Sequence, residues 1–283
     1  MRAVVCRQHG PPDLLEIGDD PAPTIRPGTI RLRVLAAGVS DVDHLIVGGR
    51  HRVGTPTPFV PGLEFVGRIT EVADDVARDA PHLAVGARVV VLARGGGFAE
   101  EAVVPAHAAT VLPDAITDGQ GATFVHGYLT AAYALRRRVD AGRGDSILVV
   151  GGPGGVGLAA VDVAAAMGMR VFAAAPTDEQ RQQARDRGAE AALDVTSGDI
   201  EAEVRALTAE EGKAGVDYVY DPVGGERAQT WLRCLGDRGE YLVAGFAAGI
   251  PSLPLDEVMF RNRRVTGVDW DAWSSRHPSD HAV

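Results

Sequence analysis

A glycine-rich turn between an apolar run and an alanine-rich run constrains the fold of this chain more than any other feature. Residues 146–157 read SILVVGGPGGVG and lead directly into LAAVDVAAAMG. A β-branched strand, a tight glycine turn and a helix N-terminus in this order predict a βα unit that binds the pyrophosphate of a dinucleotide. The alternative is an ordinary βα turn without a ligand, because glycine-rich turns are common.

The spacing of the glycines assigns a task to each of them. We expect Gly152 to permit the turn, Gly154 to let the backbone approach the phosphates, and Gly157 to allow close packing of helix on strand. The N–H groups and the dipole of the following helix then face the negative charge. The cofactor contacts predicted in this turn are Gly152, Gly154, Gly155, Val156 and Gly157.

Hydrophobic periodicity divides the chain into two domains. Residues 1–118 contain short β-type runs between Gly and Pro turns, such as Thr29–Ala37, Glu64–Val72 and Arg88–Leu92, which suggests a barrel-like β domain. From about residue 119 onward, strands alternate with helices, which predicts an α/β domain with a doubly wound parallel sheet over 119–270. The predicted strands lie near 146–151, 170–175, 191–195, 216–221, 239–246 and 265–270, and the predicted helices at 155–167, 178–187, 199–211 and 226–235.

Charge and cysteine content narrow the possible partners and setting. With 283 residues and a net charge of −10, the chain lacks the basic surface that a general nucleic-acid binder needs. Its two cysteines, Cys6 and Cys234, lie in different predicted domains, which favours a reducing, cytoplasmic setting over a disulfide framework. No apolar run is long enough to predict a membrane span, since Asp162 interrupts the longest.

The end of the second strand of the α/β domain bears on the choice of cofactor. NAD sites usually place an acid there for the ribose 2′-hydroxyl, but this strand ends in Ala175-Pro176. Thr177 and Gln180 fit a capping box, and Asp178 fits helix-dipole compensation, with a ribose contact as the alternative. Because Thr177 and Arg181 could pair a 2′-phosphate, we expect NADPH as the cofactor, with NADH also possible.

Motifs in both halves resemble the medium-chain dehydrogenase/reductase superfamily, in its zinc-independent NADPH:quinone oxidoreductase (zeta-crystallin-like) branch. The resemblance covers nearly all of residues 1–270 and implies a GroES-like β domain followed by a Rossmann domain. Besides the glycine turn, its motifs are the opening MRAVVCRQHGPPDLLEI, AAGVSDVD at 36–43, PFVPGLEFVGRI at 58–69, GGFAEEAVVP at 96–105, LTAAYAL at 129–135, DPVGGE at 221–226, GFAAGIPSLPL at 245–255 and VTGVDW at 265–270.

The same resemblance also indicates whether the chain binds zinc. Zinc-dependent relatives have Cys and His where this chain has Ser40 and Leu63, and leucine cannot be a zinc ligand. The four closely spaced cysteines of a structural zinc lobe are also missing, so we expect no zinc. Glu64 then remains as a buried turn carboxylate, which we expect to pair with an arginine.

The resemblance further implies where the substrate and the nicotinamide bind. It places the nicotinamide near Thr130 and the turn at Gly245-Phe246, although Thr130 could be an ordinary helix residue. Relatives usually have Asn at Ser40, which could still donate a hydrogen bond to a carbonyl oxygen. Asp43 could act beside it or simply fix the loop. His51 could supply a proton or be a solvated loop residue, and the role of His126 stays open.

The final segment departs from the family pattern. By resemblance the family continues beyond VTGVDW, so we expect the tail at 271–283 to lack a full helix or to be poorly packed. In the dimers that this chain resembles, the strand matching 265–270 pairs across a twofold axis, so the resemblance implies a homodimer. The sequence therefore favours hydride transfer from NADPH to a quinone or an α,β-unsaturated carbonyl. An enoyl-thioester reductase and a non-catalytic nucleotide-binding protein are the alternatives.

Overall fold

Two compact units make up the chain in the computed structural model. The structure describes residues 1–51, 54–152, 154–196, 198–209, 212 and 214–277. The first unit is Met1–His126 and the second is Gly127–Val283, whereas the sequence places the domain boundary after residue 118. Pro153 of the glycine turn, Glu210 and Glu211 of the predicted third helix, and the end of the predicted tail lie outside the described residues.

The first unit is built on an antiparallel sheet. Its strands pair in the order β6-β3-β4-β5-β7, and β1 and β2 form a separate antiparallel pair. Strands β3, β4 and β5 occupy the three runs that the sequence predicts. The strands are β1 (Arg2–Val5), β2 (Glu16–Asp19), β3 (Thr29–Ala37), β4 (Glu64–Val72), β5 (Arg88–Leu92), β6 (Glu101–Pro105) and β7 (Ala109–Val111).

Alternating side chains of these strands form the core of the first unit. Ile30 and Leu32 of β3 are fully buried against Phe65 of β4 and Val89 and Val91 of β5. This period of two is what a sheet with one covered face requires. The helices of the unit are short: α1 (Asp41–Val47), α2 (Asp74–Asp79) and α3 (Asp118–Gly121), with single 3₁₀ turns at Pro12–Leu14 and Ala106–Ala108.

The second unit contains a parallel sheet with strand order β10-β9-β8-β11-β12-β13. Sequence order reverses between β8 and β11, which makes this the topological switch point of a doubly wound fold. The strands are β8 (Ser146–Val150), β9 (Arg170–Ala175), β10 (Ala191–Asp194), β11 (Val216–Asp221), β12 (Leu235–Val243) and β13 (Arg264–Gly267). The helices are α4 (Val125–Tyr133, continued by a π turn at Ala134–Arg138), α5 (Gly155–Ala166), α6 (Asp178–Asp186), α7 (Ile200–Thr208), α8 (Ala228–Arg233), α9 (Leu255–Met259) and α10 (Trp270–Arg276).

Strand β8 lies in the middle of the sheet, and helices cover both of its faces. All five of its residues are buried. Ile147 and Val149 pack into a cluster with α5, and Leu148 and Val150 into a cluster with α7 and α8. A strand covered on both sides is continuously apolar rather than alternating, which explains the run SILVV. In the described part of the chain, no helix is long and apolar enough to span a bilayer.

Strands β12 and β13 differ from their predicted bounds. β12 begins at Leu235 rather than near 239 and passes through Arg238, which has a φ of 61°. The register with β11 shifts between Val216 and Tyr218, so the apparent turn sequence Gly-Asp-Arg-Gly is an irregularity within the strand. β13 ends at Gly267, three residues earlier than predicted, because the chain turns into α10.

Helix α10 lies where the sequence suggests an irregular tail. Asp269 caps it by accepting a hydrogen bond from the N–H of Ala272 at 3.0 Å. Trp273 packs on Tyr133 with ring centroids 5.1 Å apart, and Ser274 is buried. This helix has seven residues and is not the long helix docked on the sheet that would contradict the expected tail, so that expectation stays a prediction. Residues 278–283 lie outside the described part.

Candidate cofactor-binding site

The loops that follow β8, β9, β11 and β12 meet at one edge of the parallel sheet, because parallel strands all end on the same side. This edge is where open α/β sheets bind ligands, at the switch point between β8 and β11. The loops after these two strands are in contact, since a Cβ at Gly151 would lie 2.7 Å from Cγ2 of Val223. The geometry thus assembles the predicted cofactor residues of the second unit along one edge.

The glycine turn is tight for two different reasons. Gly151 has a φ of 64°, so it is the residue in the left-handed region, and Gly152 is not. The sequence suggested that Gly152 permits the turn, but in the structure the turn depends on Gly151. A Cβ at Gly157 would lie 2.2 Å from the carbonyl oxygen of Gly151, which explains why only glycine fits at this helix–strand contact.

The N-terminus of α5 offers backbone donors to an anion. Gly154 is its N-cap and supplies no side-chain cap, and the first turn contains no acidic residue. A Cβ at Gly155 would meet nothing within 4 Å, so the backbone there faces open space. Val156 is half-buried and packs against the core cluster. The N–H groups of this first helical turn, the helix dipole and open space fit a pyrophosphate.

Helix α4 packs closely on the start of α5. A Cβ at Gly127 would lie 3.1 Å from both the carbonyl oxygen of Gly155 and Cβ of Ala159. Thr130 follows one turn later on the same face of α4 and is 7% exposed. This places the predicted residue Thr130 on the face of α4 that adjoins α5.

Asp221 at the end of β11 is a residue that sequence reasoning missed. Its Oδ1 accepts hydrogen bonds from the N–H groups of Val223 at 2.8 Å and Gly224 at 2.9 Å, and its Oδ2 accepts one from the Tyr241 hydroxyl. Burial is the main cause that raises the pKa of Tyr241, and the Asp221 carboxylate adds to it. The acid that opens DPVGG is thus the structural anchor of this loop.

The turn after β12 contains Gly245 and Phe246. A Cβ at Gly245 would lie 2.6 Å from the carbonyl oxygen of Pro222, so a side chain there would push the β11 and β12 loops apart. The N–H of Ala248 donates to the carbonyl of Val223 at 2.8 Å. Phe246 is 48% exposed, which is high for an aromatic ring.

The loop after β9 contains an arginine held between carboxylates. Arg181 donates from Nη1 to the carbonyl of Ala175 at 3.1 Å and pairs with Asp194 at 3.3 Å and Asp178 at 2.5 Å. Asp194, at the end of β10, was not foreseen. Thr177 and Arg181 both lie at the edge of the parallel sheet where the strands end.

Only half of the predicted capping box is present at the start of α6. Oγ1 of Thr177 accepts a hydrogen bond from the N–H of Gln180 at 3.2 Å. The return bond from the Gln180 side chain is absent, and Gln180 Oε1 is buried with no partner in the described structure.

In the first unit, Ser40 and Asp43 contact each other at the start of α1. Asp43 is 4% exposed, and its Oδ2 accepts hydrogen bonds from the N–H of Ser40 at 2.9 Å and its hydroxyl at 2.8 Å. Its Oδ1 accepts from the N–H groups of Gly62 and Leu63 at 3.2 and 3.1 Å. The hydroxyl proton of Ser40 is therefore directed at Asp43, and Asp43 ties two loops together.

Among the described residues, Glu64 bonds to backbone N–H groups and to no arginine, so the expected ion pair is wrong for this part of the chain. Its Oε1 accepts a hydrogen bond from the N–H of Val125 at the start of α4. Burial raises the pKa of Glu64 to about 7, and the Asp43 carboxylate adds to the rise, whereas the N–H groups of residues 124–126 oppose it. No sequence pattern pointed to this contact, since its partners are 61 positions apart.

His51 follows α1, and its N–H donates to the carbonyl of Leu45 at 3.1 Å. It is half-buried and lies close in sequence to Ser40 and Asp43. Among the residues that the structure describes, no three or more His, Cys, Asp or Glu side chains are grouped to hold a metal ion.

Comparison with known proteins identifies the family. Residues 26–114 match the alcohol dehydrogenase GroES-like domain, and residues 155–279 match the zinc-binding dehydrogenase family. The chain is 33% identical to the quinone oxidoreductase-like protein 2 homolog of Nematostella vectensis, over 98% of this chain and 74% of that protein. It belongs to the quinone oxidoreductase-like branch of the medium-chain dehydrogenase/reductase superfamily.

Solved structures of family members share the whole described fold. The quinone oxidoreductase of Thermus thermophilus, solved alone and with NADPH, is 33% identical, with a TM-score of 0.81 over 100% of this chain and 85% of that one. A mycobacterial protein in complex with NADPH is 29% identical, with a TM-score of 0.87 over 99% of this chain and 88% of that one. The predicted α/β fold with a GroES-like domain is thereby confirmed.

Proposed function

We propose that this protein transfers hydride from NADPH to a quinone or an α,β-unsaturated carbonyl, without zinc. The observation that carries the proposal is the glycine turn leading into the uncapped N-terminus of α5, at the switch point of the sheet. The NADPH complexes of the Thermus and mycobacterial family members support the same cofactor here.

The chain's own residues would bind and orient this cofactor. Gly155 and Val156 would present backbone N–H groups to the pyrophosphate, whereas the N–H of Gly154 donates to the carbonyl of Gly151 at 3.0 Å. Gly154 lets the backbone approach the phosphates, and Gly157 keeps α5 close to the sheet. Thr130, on the α4 face beside α5, and the Gly245-Phe246 turn would contact the nicotinamide. When bound, reduced nicotinamide supplies the hydride, and the protein contributes orientation.

On the substrate side, the first unit offers a hydroxyl, a carboxylate and an imidazole. The Ser40 hydroxyl donates its proton to Asp43. To donate to a substrate carbonyl instead, this hydroxyl must turn away from the Asp43 carboxylate. Asp43 therefore fits the role of a positioning residue. His51 would supply the proton that a reduced acceptor needs, since an imidazole can act as a general acid.

Zinc independence rests on two positions in the first unit. Ser40 caps α1, and Leu63 has an apolar side chain and a backbone N–H that donates to Asp43. Neither position provides the thiolate or imidazole that a catalytic zinc requires. Full activity in the presence of a chelator would support this part of the proposal, and loss of activity restored by zinc would contradict it.

The oligomer we propose is a homodimer that pairs through β13. This strand is the last of the sheet and pairs only with β12 in the described chain. Val265 on it is 42% exposed, and Leu255, Met259 and Phe260 nearby are more exposed still. An open edge strand beside exposed apolar side chains favours association with a second copy.

The test is oxidation of NADPH by the purified protein, followed by absorbance, with 1,4-benzoquinone, a simple enone and an enoyl thioester compared. Oxidation that depends on quinone or enone is the expected result. Preference for the thioester would favour an enoyl-thioester reductase, and tight NADPH binding without turnover would favour a nucleotide-binding protein.

A further inference from the structure

The loop after β9 holds a charge arrangement that the proposed function does not itself require. The Arg181 side chain is 11% exposed, and its guanidinium pairs with one carboxylate on each of two sides. One guanidinium between two carboxylates leaves a local excess of negative charge. A cofactor phosphate arriving here therefore meets an arginine that is already paired.

The two carboxylates hold Arg181 differently. Nη1 is anchored by the carbonyl of Ala175 at 3.1 Å and by Asp194 at 3.3 Å. Asp194 is itself fixed, because its Oδ1 accepts hydrogen bonds from the N–H and the hydroxyl of Thr196, both at 2.7 Å. This side of the guanidinium is the permanent one.

The other nitrogen, Nη2, donates to Oδ1 of Asp178 at 2.5 Å. The Asp178 side chain is 98% exposed and sits at the first position of α6. An exposed ion pair of this kind contributes little free energy and exchanges readily with other anions. This side of the guanidinium is therefore the replaceable one.

Resting on the proposed function, we propose that the Asp178 carboxylate occupies the place of the cofactor 2′-phosphate on Arg181 and competes with it. Binding of NADPH displaces Asp178 from Nη2, since a phosphate dianion is the stronger partner of a guanidinium. NADH, with a neutral 2′-hydroxyl, leaves the Asp178–Arg181 pair in place. Asp178 thereby weakens NADPH binding relative to NADH binding, so the protein can use both cofactors.

The test measures dissociation constants of NADPH and NADH by nicotinamide fluorescence, and of the fragments 2′,5′-ADP and 5′-AMP by calorimetry. Variant Asp178→Asn keeps the side chain's size and removes its charge. Glu179→Gln is the matched control, because Glu179 is an exposed acid next to Asp178 in the same first turn of α6. Arg181→Gln removes the phosphate partner itself.

We expect Asp178→Asn to tighten NADPH and 2′,5′-ADP by about threefold to tenfold, as release of one ion pair implies. Binding of NADH and 5′-AMP should stay the same, Glu179→Gln should change little, and Arg181→Gln should weaken only the 2′-phosphorylated ligands. Unchanged NADPH affinity in Asp178→Asn would overturn the inference, and so would weaker NADH binding, which would make Asp178 a ribose ligand. Failure of the unaltered protein to bind either dinucleotide would overturn the proposed function as well.

Discussion

Replacement of Glu64 by glutamine should change how the stability of the first unit depends on pH. Glu64 is 9% exposed at the start of β4, and its pKa is raised from 4.5 to about 7, chiefly by burial. The folded protein thus binds a proton at pH values where the unfolded chain has released it. A group of this kind stabilises the fold fully below its unfolded pKa, and the contribution is lost as the pH rises toward 7.

The magnitude follows from this pKa change. A shift of two and a half pKa units at about 1.4 kcal/mol each sets a limit of about 3.5 kcal/mol. Between about pH 5 and about pH 8, the linkage relation gives a change of about 2.5 kcal/mol. Glutamine keeps an oxygen for the N–H of Val125 and does not ionise, so Glu64→Gln should gain this amount relative to the unaltered protein over that range.

The assay is urea unfolding of both proteins at several pH values, compared as the difference in their free energies of unfolding. Comparing differences cancels the titration of all other groups. Glu71→Gln is a control on the same strand, because Glu71 is half exposed and pairs with Arg31 in a surface ion pair. A difference for Glu64→Gln that stays flat with pH, or that falls as the pH rises, would refute the reasoning.

Three further predictions concern the second unit. Gly157→Ala should cost about 2 kcal/mol or more in thermal unfolding, because its Cβ would lie 2.2 Å from the carbonyl oxygen of Gly151. Gly155→Ala, with open space around its Cβ, should be nearly neutral, and equal losses in both variants would contradict this account. Asp221→Ala should destabilise by about 2–3 kcal/mol in urea unfolding, since it leaves buried donors unpaired, and a neutral effect would argue against the anchoring role. Val265→Lys should shift the proposed dimer toward monomer in light scattering, and an unchanged mass would place the interface elsewhere.

Local signals were sufficient to predict most of the fold. β3, β4 and β5 have their predicted bounds, because β-branched runs between glycine and proline turns leave few other conformations. β9 and β11 likewise match the predicted ranges. The alternation of strands and helices predicts the parallel pairing of the sheet, whereas the order of its strands depends on tertiary structure.

Contacts between residues distant in sequence account for what could not be predicted. The bond between Glu64 and Val125 and the pairing of Arg181 with Asp194 depend on tertiary structure, and residue types alone pointed to other partners. The start of β12 was missed because Arg238 adopts a left-handed conformation within a strand. Trp273 turned an apparently polar tail into a packed helix by contacting Tyr133.

The candidate catalytic residues were the least accessible to sequence reasoning. The family resemblance pointed to Ser40 and Asp43, whereas their mutual hydrogen bonds follow from the cap of α1. A hydroxyl that both donates to and accepts from the same residue is first of all a structural group. Its role toward a substrate stays a prediction.

The central claim is that the edge of the parallel sheet binds a nicotinamide dinucleotide at the glycine turn. Calorimetric titration of the purified protein with NADPH, repeated with Gly154→Asp, tests it most directly. The new carboxylate would occupy the N-terminus of α5, where a Cβ has room and the pyrophosphate is expected. The account predicts saturable binding to the unaltered protein and its loss in the folded variant, whereas absent binding, or equal binding in both proteins, would contradict it.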